Sequence, residues 1–181
     1  MIGVTVEGSE IQALADEFGA SEKQIEAAYR RALSRTASNV RTMMRREVRV
    51  GLNLRAASVL RRRLKMARAK GKANGQSIEL WLGQNNLPPG AFKGRPRASG
   101  GNVSFRGVTH PGAFVARMPN GKISIFRRKD VGRLPIIEET IAVQGEMNQV
   151  LDTRVMPDVL ELFFKNFRAD LKARTAFGVG N

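Results

Sequence analysis

The sequence predicts an α+β fold, in which a long N-terminal helix and a C-terminal helix pack on a small antiparallel β-sheet with an extended Gly/Pro-rich loop. Two helical stripes of apolar residues, one before residue 51 and one after residue 156, indicate the helices. The pair Asn120-Gly121, flanked by alternating apolar residues, indicates a β-hairpin between them. A chain of 181 residues can bury its own hydrophobic core, so we expect a single domain.

The long helix is predicted to begin after Ser21, behind an acidic segment of residues 1–20. Ser21 and Gln24 have the spacing of a capping box, in which each side chain accepts a hydrogen bond from a free N–H group of the helix start. Small and apolar residues then recur every three or four positions to about Val50, which predicts a helix of about 45 Å. These residues are Ile25, Ala28, Tyr29, Ala32, Leu33, Thr36, Ala37, Val40, Met43, Met44 and Val48.

Residues 52–82 are predicted to contain a second helix, a loop and a strand. Apolar residues at helical spacing predict a helix from about Arg55 to Arg68, so that residues 21–76 form a region of basic helices. The Gly- and Lys-containing residues 70–75 indicate a loop. Residues 77–82 alternate between apolar and other side chains, as in a half-buried strand.

The segment of residues 83–112 is predicted to be an extended basic arm within the β-rich part, residues 77–143. It holds four prolines and seven glycines, and a loop of such length inside a compact domain is usually functional or disordered. We expect a short strand in it, near residues 103–106.

A hairpin is predicted for residues 113–128. A two-residue turn at Asn120-Gly121 would place Met118 opposite Ile123. The same register places Ala116 opposite Ile125 and Phe114 opposite Arg127. Pro119 is an objection to this tight turn, because it cannot donate the hydrogen bond expected beside it, and a longer loop stays open.

The last part of the sequence predicts an extended run and then a helix. Residues 134–143 resemble another strand. The C-terminal helical region covers residues 144–174, with a helix start at Pro157 and Asp158, and residues 175–181 form a tail. The apolar face of this helix consists of Val159, Leu160, Phe163, Phe164, Phe167 and Leu171.

The formal net charge of +15 indicates an anionic partner, and nucleic acid is the first candidate. The charge is concentrated in the middle of the chain: residues 21–76 carry +13 and residues 77–133 carry +8, whereas residues 1–20 carry −4 and residues 134–181 carry −2. Such asymmetry also suits head-to-tail contacts between identical subunits. The acidic start of the chain and the absence of a long apolar run predict a soluble protein without a signal peptide or membrane span.

No pattern in the sequence predicts catalysis, a metal site or a cofactor. The chain has no cysteine, one histidine and no phosphate-binding glycine motif, which argues against zinc sites, disulfides and nucleotide loops. His110 is predicted to be an ordinary loop residue. Glu138 and Glu139 are neighbours on an extended segment and should point to opposite faces, so no shared acid–base role is expected.

The candidate contact residues are basic. They follow the two predicted helices and the Gly/Pro-rich arm, and could bind DNA phosphates, form a solvated face or meet an acidic protein. The composition favours neither nucleic acid nor protein, although an aromatic content of 6% argues against stacking on single strands. The residues are Arg30, Arg31, Arg35, Arg41, Arg45, Arg46, Arg49, Arg61, Arg62, Arg63, Lys93, Arg95 and Arg97.

One region resembles a known family. The stretch Pro111–Arg128, PGAFVARMPNGKISIFRR, is followed by Arg133-Leu134-Pro135-Ile136 and a run to Val143. This order resembles the minor tail protein Z family of lambda-like phages, in which a Pro-Gly-Ala-Phe strand, an Asn-Gly or similar turn, a strand ending in basic residues and a Leu/Tyr-Pro-Ile segment follow one another. The preceding residues 78–88 and the basic helices also fit, so the resemblance covers roughly residues 21–174.

The resemblance implies a structural virion protein of a long non-contractile tail. Members of this family act in tail completion or in the neck at the head-proximal end, as homo-oligomeric rings that are commonly sixfold. The implied partners are other copies of the chain, the tail terminator and neck or connector proteins, and contact with the phage DNA in the lumen stays open. Assembly in the host cytoplasm, without a membrane, is also implied. The family has no catalytic residues, so no enzyme is expected. The alternatives are a free basic DNA-binding protein and, from a third class, an enzyme such as a nuclease.

Overall fold

The computed structural model describes residues 8–69, 77–130 and 132–178. The helices are α1 (Gly8–Glu17), α2 (Glu22–Gly51), α3 (Gln144–Arg154) and α4 (Met156–Phe177). The strands are β1 (Leu64–Ala69), β2 (Ser77–Leu82), β3 (Arg97–Ser99), β4 (Asn102–Phe105), β5 (Val108–Pro111), β6 (Ala113–Arg117), β7 (Ile123–Arg128) and β8 (Ile136–Glu138). All strand pairs are antiparallel, and the predicted α+β class is confirmed.

The chain divides into two compact units. Unit 1 combines residues 1–47, 62–83 and 150–181, and unit 2 combines residues 48–61 and 84–149. The expectation of a single domain stays a prediction. None of the helices among the described residues is both long enough and apolar enough to cross a membrane.

The long helix α2 has the predicted bounds. The backbone N–H of Ser21 donates to Oε1 of Gln24 at 3.0 Å, which is the Gln half of the capping box. The stripe of small residues is buried, with Ala28 and Ala32 fully inaccessible to solvent. Local cap chemistry and apolar spacing therefore suffice to define this helix.

The core of unit 1 joins α2 to α1 and α4. It contains Leu14, Ala28, Ala32, Phe163, Phe167 and Leu171. Three aromatic rings of this region pack together: the Tyr29 and Phe163 centroids are 5.5 Å apart edge to face, and Phe163 stacks on Phe167 at 6.0 Å. The sequence had indicated no element for residues 8–17, where α1 contributes the buried Leu14 and Ala15.

The C-terminal helical region is interrupted. The predicted helix after Pro157 is confirmed as α4, with Pro157 in its first turn and Gly178 in the left-handed conformation after its last. Residues 144–154 form the separate helix α3. The two helices are separated at Val155, which is buried.

The predicted helix at residues 55–68 is wrong. Residues 57–60 form one 3₁₀ turn, and residues 64–69 form β1, which pairs with β2 from Leu64 opposite Leu82 to Ala69 opposite Ser77. Buried Leu60 and Leu64 have helical spacing, but the ladder with β2 decides the backbone conformation, because strand preference depends on the partner strand. The predicted strand at residues 77–82 is confirmed, and the predicted loop at residues 70–75 lies outside the described residues.

The predicted long arm at residues 83–112 is mostly wrong. It contains a 3₁₀ turn at residues 89–91 and the three-stranded sheet β3-β4-β5, in which β4 confirms the short strand expected near residues 103–106. Both hairpins use two-residue turns with positive φ at both positions: Gly100 and Gly101, then Arg106 and Gly107. This is the geometry of type I′ turns, which match the twist of paired strands.

The predicted hairpin at residues 113–128 is confirmed, but its register is wrong by one residue. Ile123 lies opposite Arg117, Ile125 opposite Val115, and Arg127 opposite Ala113. The turn is longer than the Asn-Gly pair: the Met118 N–H donates to the Lys122 carbonyl at 2.8 Å across a five-residue loop that contains Pro119. The longer loop, which Pro119 had left open, is therefore the one observed.

The extended run predicted at residues 134–143 becomes β8 and an isolated bridge. β8 pairs with β7, so that the order of this sheet is β6-β7-β8, and Ile141 pairs with Leu87. Beside this sheet, the N–H of buried Gly90 donates to Oγ of Ser124 at 3.1 Å, and a Cβ at this glycine would lie 2.8 Å from the Ile123 carbonyl oxygen. Glycine is therefore required for the close approach of the 3₁₀ turn to β7.

Candidate nucleic-acid and partner interfaces

Six of the thirteen candidate residues form one surface on α2, which we call the arginine arc: Arg30, Arg31, Arg35, Arg41, Arg45 and Arg46. At about 100° per residue they fall within roughly 160° of the helix circumference. The other positions of this arc between residues 30 and 46 are Ser34, Ser38 and Thr42, and none is acidic. The buried stripe occupies the remaining circumference, so that burial of the apolar face collects the arginines on the other face.

Three members of the arginine arc have acidic partners. Arg30 pairs with Glu26, Nε of Arg31 lies 3.2 Å from Oδ1 of Asp170, and Nε of Arg46 donates to Oε1 of Glu47 at 2.8 Å. All three arginine side chains are more than half exposed. These arginine side chains are open to solvent and salt, although Asp170 and Glu47 are mostly buried, so the arginines can exchange their partners for another anion.

The other three members have no ion pair among the described residues. Arg35 is exposed. Arg41 and Arg45 are partly buried one helical turn apart, and their Nε atoms are buried without a hydrogen-bond acceptor in the described part of the chain. Like charges at this spacing repel each other. The middle of the arc therefore holds an uncompensated positive charge.

The remaining candidates are not part of the arc. Arg49 is exposed on the last turn of α2, and Arg61, Arg62 and partly buried Arg63 lie between the 3₁₀ turn and β1 instead of on a helix. Lys93, Arg95 and Arg97 are exposed in unit 2, where Arg97 opens β3. Sequence reasoning identified these charges but not their surroundings.

A second surface lies at β8, the edge strand of its sheet. Leu134, Ile136 and Ile137 are 72%, 44% and 45% exposed. The Glu139 N–H donates to the Ile125 carbonyl and the Lys129 N–H to the Pro135 carbonyl. Because antiparallel ladders alternate, the backbone groups of Ile136 and Glu138 point away from β7. We call this surface the β8 edge; it offers both apolar area and backbone groups to another chain.

A partly buried cluster of His110, Arg127 and Glu139 links the two sheets of unit 2, and sequence reasoning missed it. His110 was predicted to be an ordinary loop residue, which is wrong: it lies on β5 and is 6% exposed. Its Nδ1 donates to Oε2 of Glu139 at 3.2 Å, and Nε of Arg127 donates to Oε1 at 2.7 Å. Glu138 instead accepts a hydrogen bond from Nζ of Lys122 at 3.1 Å, so the two neighbouring glutamates hold different partners, as expected.

The pKa of Glu139 lies below its ordinary value. Burial raises the pKa, but the hydrogen bonds and charges of Arg127 and His110 lower it more. A carboxyl group with a lowered folded pKa stabilises the fold above its unfolded pKa, about 4.3, and loses this contribution as the pH falls through the folded pKa. The cluster therefore supports unit 2 at neutral pH and weakens in acid.

We expect Glu139→Gln to reduce the acid sensitivity of the protein. The variant should be less stable than the wild type at pH 7, and the difference should shrink as the pH falls from about 4.3 through the folded pKa, because the wild-type carboxylate becomes protonated over this range. Urea unfolding at a series of pH values measures this difference. Glu161→Gln, at an exposed position of α4, is the control and should leave the profile unchanged. A Glu139→Gln profile parallel to that of the wild type would contradict the prediction.

Among the described residues, no three His, Asp or Glu side chains are placed to hold a metal ion. No protein-family model, curated protein or solved structure matches the chain.

Proposed function

We propose that this chain is a structural protein of a tailed-phage particle and not an enzyme. It is a minor tail, tail-completion or neck protein that forms a homo-oligomeric ring, as a hexamer, at the head-proximal end of the tail, where heads and tails join and DNA passes. The observation that carries the proposal is the order of features in residues 111–143, which resembles the minor tail protein Z family. The ring, its partners and its place in the virion are all part of this proposal.

The geometry of the same segment supports a role in assembly. Residues 113–138 form the β6-β7-β8 sheet, and its β8 edge exposes Leu134, Ile136 and Ile137. Exposed apolar residues at a sheet edge are costly in a free monomer and favour contact with another chain. The partners in this proposal are neighbouring subunits, the tail terminator and the neck or connector proteins.

The test is assembly of particles with and without this chain. Purified particles should contain the protein, and electron microscopy of particles made without it should show heads and tails that fail to join. Complementation by the wild-type chain should restore joining. Fertile joints in particles that lack the chain would overturn the proposal.

A charged substitution tests whether joining depends on the β8 edge or on any exposed apolar residue. Complementation with Ile137→Glu should fail, because a carboxylate at this edge opposes its burial against another chain. Val108→Glu on β5, at a similarly exposed apolar position, is the matched control and should complement. The purified wild-type chain should form a ring-sized oligomer in native mass spectrometry, and Ile137→Glu should shift it towards the monomer.

The second candidate function is a free basic DNA-binding protein. The arginine arc favours it, because a surface of one charge attracts nucleic acid without the help of another protein. Absence of the chain from purified particles, together with binding to DNA as a monomer, would select this candidate over the first.

A further inference from the structure

We infer that the arginine arc binds the phosphate backbone of double-stranded DNA, without sequence preference. This inference goes beyond the proposed place in the particle and can hold whether or not the chain forms a ring. The arc extends over sixteen residue steps of α2, which is about 24 Å at 1.5 Å per residue. A DNA duplex presents roughly 14 phosphates over the same length. A helix with charge of one sign along this distance can therefore place several arginines against the phosphates that face it.

The side chains between the arginines favour DNA over a protein partner. Stable protein interfaces have a desolvated centre rich in apolar and aromatic residues. The arc has no such centre, because Ser34, Ser38 and Thr42 occupy its remaining positions. These short side chains let a phosphate come close to the helix, while the arginines reach around it.

The same residues favour a duplex over a single strand. Proteins that bind single strands stack bases on aromatic side chains. No aromatic residue lies within the arc, and Tyr29, on the neighbouring turn, packs edge to face on Phe163. The arc can therefore recognise phosphates but offers no platform for bases.

The uncompensated charge in the middle of the arc supplies a reason for binding. Arg41 and Arg45 repel each other one turn apart and have no acidic partner among the described residues. Phosphates would relieve this repulsion and release their counterions, which makes the affinity strongly dependent on salt. Arg30, Arg31 and Arg46, whose side chains are exposed, add to this contact when they leave their ion pairs.

The test compares two triple variants of the full chain with equal changes of charge. The arc variant is Arg35→Gln, Arg41→Gln and Arg45→Gln. The control is Lys165→Gln, Arg168→Gln and Lys172→Gln, three exposed positions of α4 on the side opposite its buried face. Fluorescence anisotropy with a labelled random-sequence duplex of about 20 base pairs gives the dissociation constant at several salt concentrations. Far-UV circular dichroism and thermal unfolding establish that both variants are folded.

The wild type should bind the duplex with a steep salt dependence, and the control should follow it closely. The arc variant should bind at least about tenfold more weakly, and the slope of log K against log salt should become shallower by about one for each lost phosphate contact, or about three. Equal losses in the two triple variants would overturn the inference, because net charge alone would then explain binding.

Four competitors test the identity of the ligand: unlabelled DNA duplex, polyglutamate, a single strand and an RNA duplex. Unlabelled duplex should displace the labelled DNA, whereas polyglutamate at equal charge should displace it poorly. Effective competition by polyglutamate would assign the arc to acidic proteins, tighter binding of a single strand would indicate base contacts, and tighter binding of an RNA duplex would reassign the surface. Each of these outcomes would overturn the DNA assignment but leave the particle experiments unaffected, so the two proposals fail separately.

Discussion

Replacement of Phe167 by alanine is expected to lower the free energy of unfolding by about 3–5 kcal/mol. Phe167 is fully buried and stacks on Phe163, with ring centroids 6.0 Å apart and planes within 7°. It belongs to the core that holds α1, α2 and α4 together in unit 1. The substitution removes the ring and leaves a cavity that packed helices cannot fill completely. Urea unfolding followed by circular dichroism measures the loss.

Phe177→Ala on the same helix is the control for this experiment. The side chain of Phe177 is 76% exposed, so its removal should change the free energy of unfolding by no more than about 0.5 kcal/mol. Similar effects of the two substitutions would show that α4 does not contribute to the core through Phe167. A large difference would show that Phe167 helps to bury the apolar face of α2. The arginine arc lies on the opposite, exposed face of this helix.

Asp170→Ala is expected to lower the free energy of unfolding by about 3–5 kcal/mol, because it removes the carboxylate from a buried ion pair. Nε of Arg174 donates to Oδ2 of Asp170 at 2.7 Å, and both side chains are about nine-tenths buried. Oδ1 of the same carboxylate lies 3.2 Å from Nε of Arg31. Chemical denaturation at neutral pH measures the loss. The aspartate thus has both a structural partner on α4 and a partner in the arginine arc.

Two further variants separate the contributions of these partners. Arg31→Gln removes only the exposed partner and should cost less than about 1 kcal/mol. Asp170→Leu with Arg174→Met replaces the buried pair by apolar side chains and should recover most of the stability lost in Asp170→Ala. If the double variant is as unstable as Asp170→Ala, changed packing at these two positions, and not the loss of one partner of the ion pair, would account for the lower free energy of unfolding.

The parts of the fold that could be predicted from the sequence are those defined by local signals. The capping box at Ser21 and Gln24 and the apolar spacing behind it define α2, and Pro157 with its apolar stripe defines α4. The alternation in residues 77–82 defines β2. For the two helices, the residues that determine the conformation lie within one or two turns of each other. For β2, they alternate along one short segment. None of these patterns requires knowledge of the partner element.

Of the candidate sites, one could be predicted from local sequence signals and the others could not. The arginine arc follows from the phase of a single helix: once α2 is recognised, the positions of its six arginines relative to the buried stripe are set by 3.6 residues per turn. The β8 edge and the cluster of His110, Arg127 and Glu139 do not follow from any local pattern. Pairing of β7 with β8 brings Arg127 close to Glu139, and His110 reaches the same carboxylate from β5 in the other sheet.

The sequence by itself thus determined the α+β class, the two principal helices, a hairpin between them and the strongly basic middle of the chain. Only the tertiary structure decided that residues 64–69 form a strand, that the Gly/Pro-rich segment folds into a three-stranded sheet, and that the hairpin register is shifted by one residue. A helix satisfies its backbone hydrogen bonds within its own segment, so its signals are local. A strand satisfies them on a neighbour, and the choice of neighbour and register depends on residues elsewhere in the chain.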